Sequence, residues 1–325
     1  MQRANRSADA IADAINKPWS DDSVICCPAP WRVHALRLLA AADEPSGLAE
    51  LVEAINSLAD QPEPDWQGLM IVPGPIGPAA AIWVQPQPGN TARLWLPADG
   101  SQRGAMLLHG ARRWAASQGF SLVQAVIDTA DTDAALFLCD NGFPHLVDLR
   151  YLQAQTGQEQ PAKETTSATE PGFESIGQLP SPRLESILSK IQDSSLDCPG
   201  LSDVLSPWQA IEGFRHQGQY RPEHWCILRY RAEDAGLLLM APHPQTRCWE
   251  LIYMGVMPGW RGHGLGRQLV VEALGRAADH GAERLLLSVD TRNHLALRLY
   301  QQLGFRDYAK RSLHAWIAPK ADPSC

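Results

Sequence analysis

From Glu250 to Arg267 the chain reads Glu-Leu-Ile-Tyr-Met-Gly-Val-Met-Pro-Gly-Trp-Arg-Gly-His-Gly-Leu-Gly-Arg, a strand-like apolar run that passes through Pro258 into a turn with glycine on alternate positions. Gly262, Gly264 and Gly266 lack the Cβ atoms that would keep an anion away from main-chain N–H groups. Leu265, Leu269, Val270, Ala273, Leu274 and Ala277 then recur at helical spacing, so the turn opens a helix. A helix N-terminus offers unpaired N–H groups and the positive end of a macrodipole to negative charge. Arg261, His263 and Arg267 add positive charge with no acid between them. Strand, turn and helix in immediate succession confine this part of the chain to an αβ unit with a cradle for phosphate.

Spacing separates the glycine-rich turns that bind phosphates. A P-loop ends in Gly-Lys-Ser/Thr, whereas here the final glycine is followed by Arg267 and Gln268. A dinucleotide fingerprint needs a third glycine three residues after the second, and Arg267 and Leu269 occupy the two places where it would fall. What remains is Arg-x-x-Gly-x-Gly, Arg261 to Gly266, between a strand and a helix.

This arrangement resembles the pyrophosphate-binding motif of the GNAT superfamily, the acetyl-CoA-dependent N-acetyltransferases. Downstream, Leu-Leu-Leu-Ser-Val-Asp from Leu285 to Asp290 has the pattern of a buried strand, and Asn293-His-Leu-Ala-Leu-Arg-Leu-Tyr300 leads to Gly304-Phe305. The second stretch is similar to another GNAT signature, in which an asparagine begins a short helix, a tyrosine lies on it and Gly-Phe follows. Residues seven apart on a helix differ by about 20° in azimuth, so Asn293 and Tyr300 share a face.

The resemblance implies an α+β fold, here two GNAT-like three-layer α/β/α domains with mixed, mostly antiparallel sheets, and acetyl-CoA as cosubstrate without a metal. It implies that Arg261, Gly262, His263, Gly264, Leu265, Gly266 and Arg267 grip the diphosphate. Main-chain groups of Met254, Gly255 and Val256 would hold the thioester oxygen and the pantetheine, with Gly255 easing that approach or serving only a bulge. Asn293 belongs to the same set, and asparagine also suits a helix N-cap.

An amine with pKa near 10.4 must lose a proton before it attacks, which costs about 4–5 kcal/mol at pH 7. Glu250 stands where histone-type members of the superfamily carry a base; on a regular strand it would share an apolar face with Ile252, Met254 and Val256, although a strand-entry glutamate is also often simply solvated. Tyr300 resembles the family's general acid, which protonates the departing thiolate, and packing is the other use of a tyrosine on an amphipathic helix. The segment Ser195-Leu-Asp-Cys-Pro-Gly-Leu201 falls where relatives bind acceptors, with Asp197 either an ammonium partner or a turn former. Trp225, Trp249 and Trp260 line a pocket or fill the core.

At 325 residues the length favours two domains. Gln153 to Gly172 contains almost nothing to bury and reads as a linker. The expected division is an N-terminal extension (1–19), a degenerate GNAT-like domain (20–153), the linker (154–172) and a catalytic domain (173–325). Gly119, Asp128, Gly142 and Phe143 are matched by Gly281, Asp290, Gly304 and Phe305, each 162 positions later. In that register Leu138 stands for Tyr300 and Asp131 for Asn293, and Pro97-Ala-Asp-Gly-Ser-Gln-Arg-Gly-Ala, with Asp99 a negative charge, replaces the glycine turn. Its following helix, expected over 106–118, keeps its apolar face.

Composition narrows the function further. A net charge of −8 argues against a nucleic-acid partner and suits a cationic amine. No apolar run approaches the roughly 20 residues of a membrane helix, and residues 1–14 lack the apolar core of a signal peptide, so a cytoplasmic protein without a membrane partner is expected. Seven cysteines without a Cys-x-x-Cys pair argue against a disulfide framework or a zinc site, with Cys26 and Cys27 expected as buried thiols. The reading is an N-acetyltransferase that moves an acetyl group from acetyl-CoA to a primary amine of a small-molecule or peptide acceptor by direct attack, as a monomer or a dimer. A non-catalytic acyl-CoA-binding or regulatory protein is the alternative.

Overall fold

The computed structural model describes residues 24–42, 45–62, 64–97, 100–157, 171–177, 181–193 and 195–319. The N-terminal extension, most of the linker, and Ala98 and Asp99 of the first glycine-poor turn lie outside the described residues. The chain divides into two compact units, Met1–Leu146 with Leu313–Cys325, and Val147–Ser312. Among the described residues no helix is long and apolar enough to cross a membrane.

In the first unit β1 (Ile25–Cys26), β2 (Leu69–Pro73), β3 (Pro78–Gln87), β4 (Thr91–Trp95) and β5 (Leu122–Asp128) lie side by side in that order. Each pair is antiparallel except β4 and β5, which are parallel. Period-2 alternation sends successive residues of β2 to opposite faces. Leu69 and Ile71 meet Ala35 and Leu39 of α1 (Arg32–Ala42) and Leu51 and Leu58 of α2 (Pro45–Ala59). Met70 and Val72 meet Leu107, Leu108 and Ala111 of α3 (Gln102–Gln118) and Leu138 of α4 (Thr132–Asp140). Helix α3 starts a turn earlier than its apolar spacing predicts because the Ser101 side chain caps it, accepting from the Gly104 N–H at 3.5 Å. The unit also takes in the end of the chain: Ala315 N–H donates to Pro144 O and Ala318 N–H to Ser121 O, both at 3.0 Å. Cys27 is buried as expected, but Cys26 is exposed on the short edge strand β1, because its neighbours Ile25 and Cys27, and not Cys26 itself, point into the α1 side of the sheet.

The second unit has the order β6 (His145–Gln155, from Val147 on), β11 (Arg284–Asp290), β10 (Cys248–Val256), β9 (Glu233–His243), β8 (Trp225–Tyr230) and β7 (Gly172–Ser175). Only β10 and β11 are parallel. One face carries α5 (Ser181–Gln192), the single-turn α6 (Pro199–Ser202) and α7 (Pro207–Arg215), with Leu184, Ile187, Leu188, Ile191 and Ile211 packed on Trp225, Ile227, Leu237 and Leu239. The other carries α8 (Leu265–Asp279) and α9 (His294–Gln302), with Leu269, Val270, Ala273, Leu274 and Leu297 packed on Leu238, Met240, Leu251, Leu285 and Leu287. Strand β12 (Arg306–Ile317) contributes its first residues to this unit, where Arg150 bonds Asp307 at 2.6 Å. Each unit is therefore three layers around a mixed, mostly antiparallel sheet.

The repeat seen in the sequence is a repeat of backbone conformation. Gly119 and Gly281 have φ of 77° and 76°, and Gly142 and Gly304 have 85° and 86°, values that favour glycine. Asp131 caps α4 through the Ala134 N–H at 2.9 Å, as Asn293 caps α9 through the Ala296 N–H at 3.2 Å. Asp128 and Asp290 close matching turns, accepting from Ala130 and Arg292 main-chain N–H at 2.9 and 2.8 Å. Phe143 and Phe305 are both buried.

Candidate active site

Strands β10 and β11 pair only over Cys248–Glu250 and Arg284–Leu286, although β10 runs on to Val256 and β11 to Asp290. On its other edge β10 stays paired with β9 through Val256 and Gly236. The two parallel strands thus form a fork, and among the described residues the β10 main chain beyond Glu250 has no strand partner on the fork side.

A bulge at Ile252 shifts the β9–β10 register between Leu251 and Tyr253. One extra residue reverses the facing of everything after it. Leu251, Met254 and Val256 pack on the α8 side, whereas Ile252 and Tyr253 pack beneath α5 and α7. Glu250, paired with Ala241, shares the face of Tyr253 and Gly255, not that of Met254 and Val256. The apolar setting expected for it on a regular strand is absent: its Oε2 lies 2.9 Å from Nε2 of His243 and its side chain is 29% exposed. Gly255 is required by packing, since a Cβ there would stand 2.2 Å from Cγ2 of Ile191.

The turn after β10 is open. Gly262 and Gly264 have φ of 81° and 73°, and a Cβ on either would meet nothing within 4 Å. Gly264 caps α8 without a side-chain bond. Arg261 N–H reaches Pro258 O and Arg267 N–H reaches Gly264 O, while the amides of residues 262–266 have no main-chain acceptor among the described residues. Gly266 differs: its Cβ would sit 3.5 Å from Leu299, an ordinary contact, at unexceptional φ. Leu265 is buried beneath the turn and anchors it to the core. The Arg261 guanidinium bonds main-chain oxygens of Val256 (3.1 Å) and Ile191 (3.2 Å), tying the turn to β10 and α5. His263 is exposed, with its Nδ1 3.1 Å from Arg261 O, beside the rings of Tyr230 and Trp260.

Tyr300 is 6% exposed on α9 and packs against Phe305. Burial pushes its phenol well above the ordinary tyrosine range, and the Asp197 carboxylate adds to the shift. Tyr253 is raised by the same two causes. Asp197 is more than a turn former: its Oδ1 accepts from the Asp290 N–H at 2.9 Å while Oδ2 of Asp290 accepts from the Cys198 N–H at 3.2 Å. Asn293, the α9 cap, lies beside the Asp197 carboxyl, whose pKa burial raises and Asn293 works to lower. This reciprocal clasp holds Ser195–Leu201 against the end of β11. Trp225 is a core residue, Trp249 packs in the core and also lines a cavity beside His243, and Trp260 stands at the turn. Among the described residues no group of histidine, cysteine, aspartate and glutamate side chains forms a metal site.

The site joins a fork between two parallel strands to a glycine turn that opens a helix. Residues 189–305 match the model of the acetyltransferase (GNAT) family. The chain is similar to the mycothiol acetyltransferases of Thermobifida fusca (36% identity over 104 residues, 30% of each chain) and Nocardiopsis dassonvillei (39% over 109 residues, 32% of this chain and 31% of the relative). It therefore matches less than a third of the length of these curated relatives. A GCN5-related N-acetyltransferase from Sphaerobacter thermophilus shares the fold over 93% of this chain and 98% of its own, with a TM-score of 0.62 and 20% identity.

Proposed function

We propose that the second unit transfers an acetyl group from acetyl-CoA to the primary amine of a small acceptor by direct attack. The observation that carries this reading is the fork between β10 and β11 opening beside a glycine turn whose amides are free at a helix N-terminus. The residues fit the cosubstrate: Gly262 and Gly264 leave room for a diphosphate against the amides of 262–266, and the free edge of β10 from Met254 to Val256 offers main-chain partners to an extended pantetheine. Acetyl-CoA supplies an activated acetyl thioester.

The chain's own groups do the rest. Glu250, on the face beneath α5 and α7, takes the acceptor's proton. Tyr300 keeps its proton at Oη through burial and donates it to the leaving sulfur. Asn293 and Asp197 fix the acceptor-side segment, and the similarity to proteins named mycothiol acetyltransferase makes a mycothiol-related amine the first acceptor to test. Calorimetry with acetyl-CoA followed by an amine screen read by thiol release tests the reading. Binding with turnover on at least one amine is expected; binding without turnover across small amines and peptides would leave an acyl-CoA-binding protein instead.

A further inference from the structure

Glu250 is partnered by a histidine on the neighbouring strand. His243 closes β9 two residues beyond Ala241, the register partner of Glu250, and its Nε2 lies 2.9 Å from Glu250 Oε2. Both side chains are partly exposed, 32% and 29%. On its far side the imidazole borders an open cavity of about 460 Å³, lined also by Gln219, Arg221, Glu223, His224 and His280. A free carboxylate, ordinarily near pKa 4.3, is a poor resting place for the proton of an ammonium group near 10.4; an imidazole, ordinarily near 6.5, exchanges protons with water at neutral pH.

We propose that His243 and Glu250 form a proton relay from the acceptor amine to the solvent of this cavity. The step rests on the acetyl-transfer reading above. An N–H bond of the ammonium breaks as an O–H bond forms on Glu250; the proton passes from Oε2 to Nε2 of His243, and the imidazolium returns one proton to water. One proton leaves per acetyl transferred and no electrons are exchanged. The charged and titratable groups that bond His243 or line this cavity with it are Glu250 and Cys248 on β10, with Cys248 its register partner, Arg221, Glu223 and His224 before β8, Arg247 after β9, and His280 beyond α8. His224 is held below the ordinary histidine range by burial and by His280, so it adds little positive charge that would oppose an imidazolium at His243. The relay makes His243 a residue that acts through Glu250, outside contact with the acetyl group.

The test compares the full chain with its His243→Ala, His243→Gln and Glu250→Gln variants across neutral pH, with and without added imidazole. The relay predicts a kcat at least about tenfold lower in His243→Ala, unchanged acetyl-CoA affinity by calorimetry, and partial recovery with imidazole. It also predicts that His243→Gln, whose amide reaches the same carboxylate, loses the histidine limb of the pH–rate profile. Wild-type rates in His243→Ala, a loss that imidazole does not relieve, or an unshifted profile in His243→Gln would each overturn it; should His243→Ala not fold, the His243→Gln profile decides. A wild-type chain with no turnover on any amine overturns acetyl transfer itself, and full activity in Glu250→Gln removes base and relay together. Loss in Glu250→Gln beside full activity in His243→Ala removes the relay alone.

Discussion

At Tyr300 the same burial that stabilises the ring also loads the hydroxyl. With its pKa raised by burial and by the negative charge of Asp197, the phenol stays protonated through the physiological range, as the proposed acid role requires. Tyr300→Phe keeps the ring against Phe305 and removes only the oxygen, so kcat is expected to fall about 10²–10⁴-fold with acetyl-CoA affinity nearly unchanged, measured by thiol release and calorimetry. Gly255 gives a different kind of prediction. A methyl group there collides with Ile191, so Gly255→Ala should destabilise the second unit by about 1–3 kcal/mol, and Ile191→Ala in the same chain should cost less than its single-variant sum, read from denaturant unfolding. The sequence singles out Gly255 and Glu250 as candidates but not what surrounds them: the bulge at Ile252 leaves no mark in the alternation of apolar residues, and Ile191 is far away along the chain. Asp197 reads in the sequence as an ammonium partner or a turn former, and its bond to Asp290 is not legible for the same reason, since Asp290 comes from the other end of the unit.

Among the elements, α5 matters because its C-terminal turn supplies Ile191 to Gly255 and a main-chain oxygen to Arg261. Its N-terminal turn is held by Arg183, which bonds Glu174 of β7 (2.8 and 3.0 Å) and Asp234 of β9 (2.7 and 3.1 Å), with Arg229 joining the same carboxylates. The Arg183 guanidinium, more than any other group, holds both carboxyls below the ordinary range. A depressed carboxyl stabilises the folded state fully above its unfolded pKa, near 4, and loses that contribution as pH falls through the lower folded value. The second unit should therefore become less stable on acidification below about pH 4, and Arg183→Gln should flatten that limb while lowering stability at neutral pH. Thermal unfolding followed against pH checks both; a limb as steep in the variant would show that other carboxylates carry the acid sensitivity. The existence of strands, turn and helices around the site followed from period and turn chemistry. Their ends did not, because caps such as Ser101 and the pairing limits of β10 and β11 depend on tertiary contacts.

Across the whole molecule the two units show what the fold keeps and what a site needs. Strands β4 and β5 pair only over Thr91–Arg93 and Leu122–Gln124, so the first unit has a fork like that of β10 and β11. Its helix start is different: Ser101 takes a main-chain N–H of α3 for itself, whereas Gly264 leaves those of α8 open. Leu138, fully buried, fills the place of Tyr300. The repeated aspartate turns, helix caps and positive-φ glycines recur in both units and belong to the architecture; the glycine turn, Tyr300 and the Asp197 clasp belong to the second alone. The 162-residue offset made this division readable in the sequence, while the passage of the chain's last strand residues into the first unit was not, because nothing local in Leu313–Ile317 names its partner. One acetyl-CoA per chain is therefore expected by calorimetry. Gly264→Val, which forces a branched residue to φ near 73° at the proposed diphosphate cradle, should abolish that binding, whereas Ser101→Ala in the first unit should lower stability by about 1 kcal/mol and leave the stoichiometry at one. A second bound equivalent, or binding that survives Gly264→Val, would mean that a fork suffices without its cradle and that the first unit still holds acyl carrier.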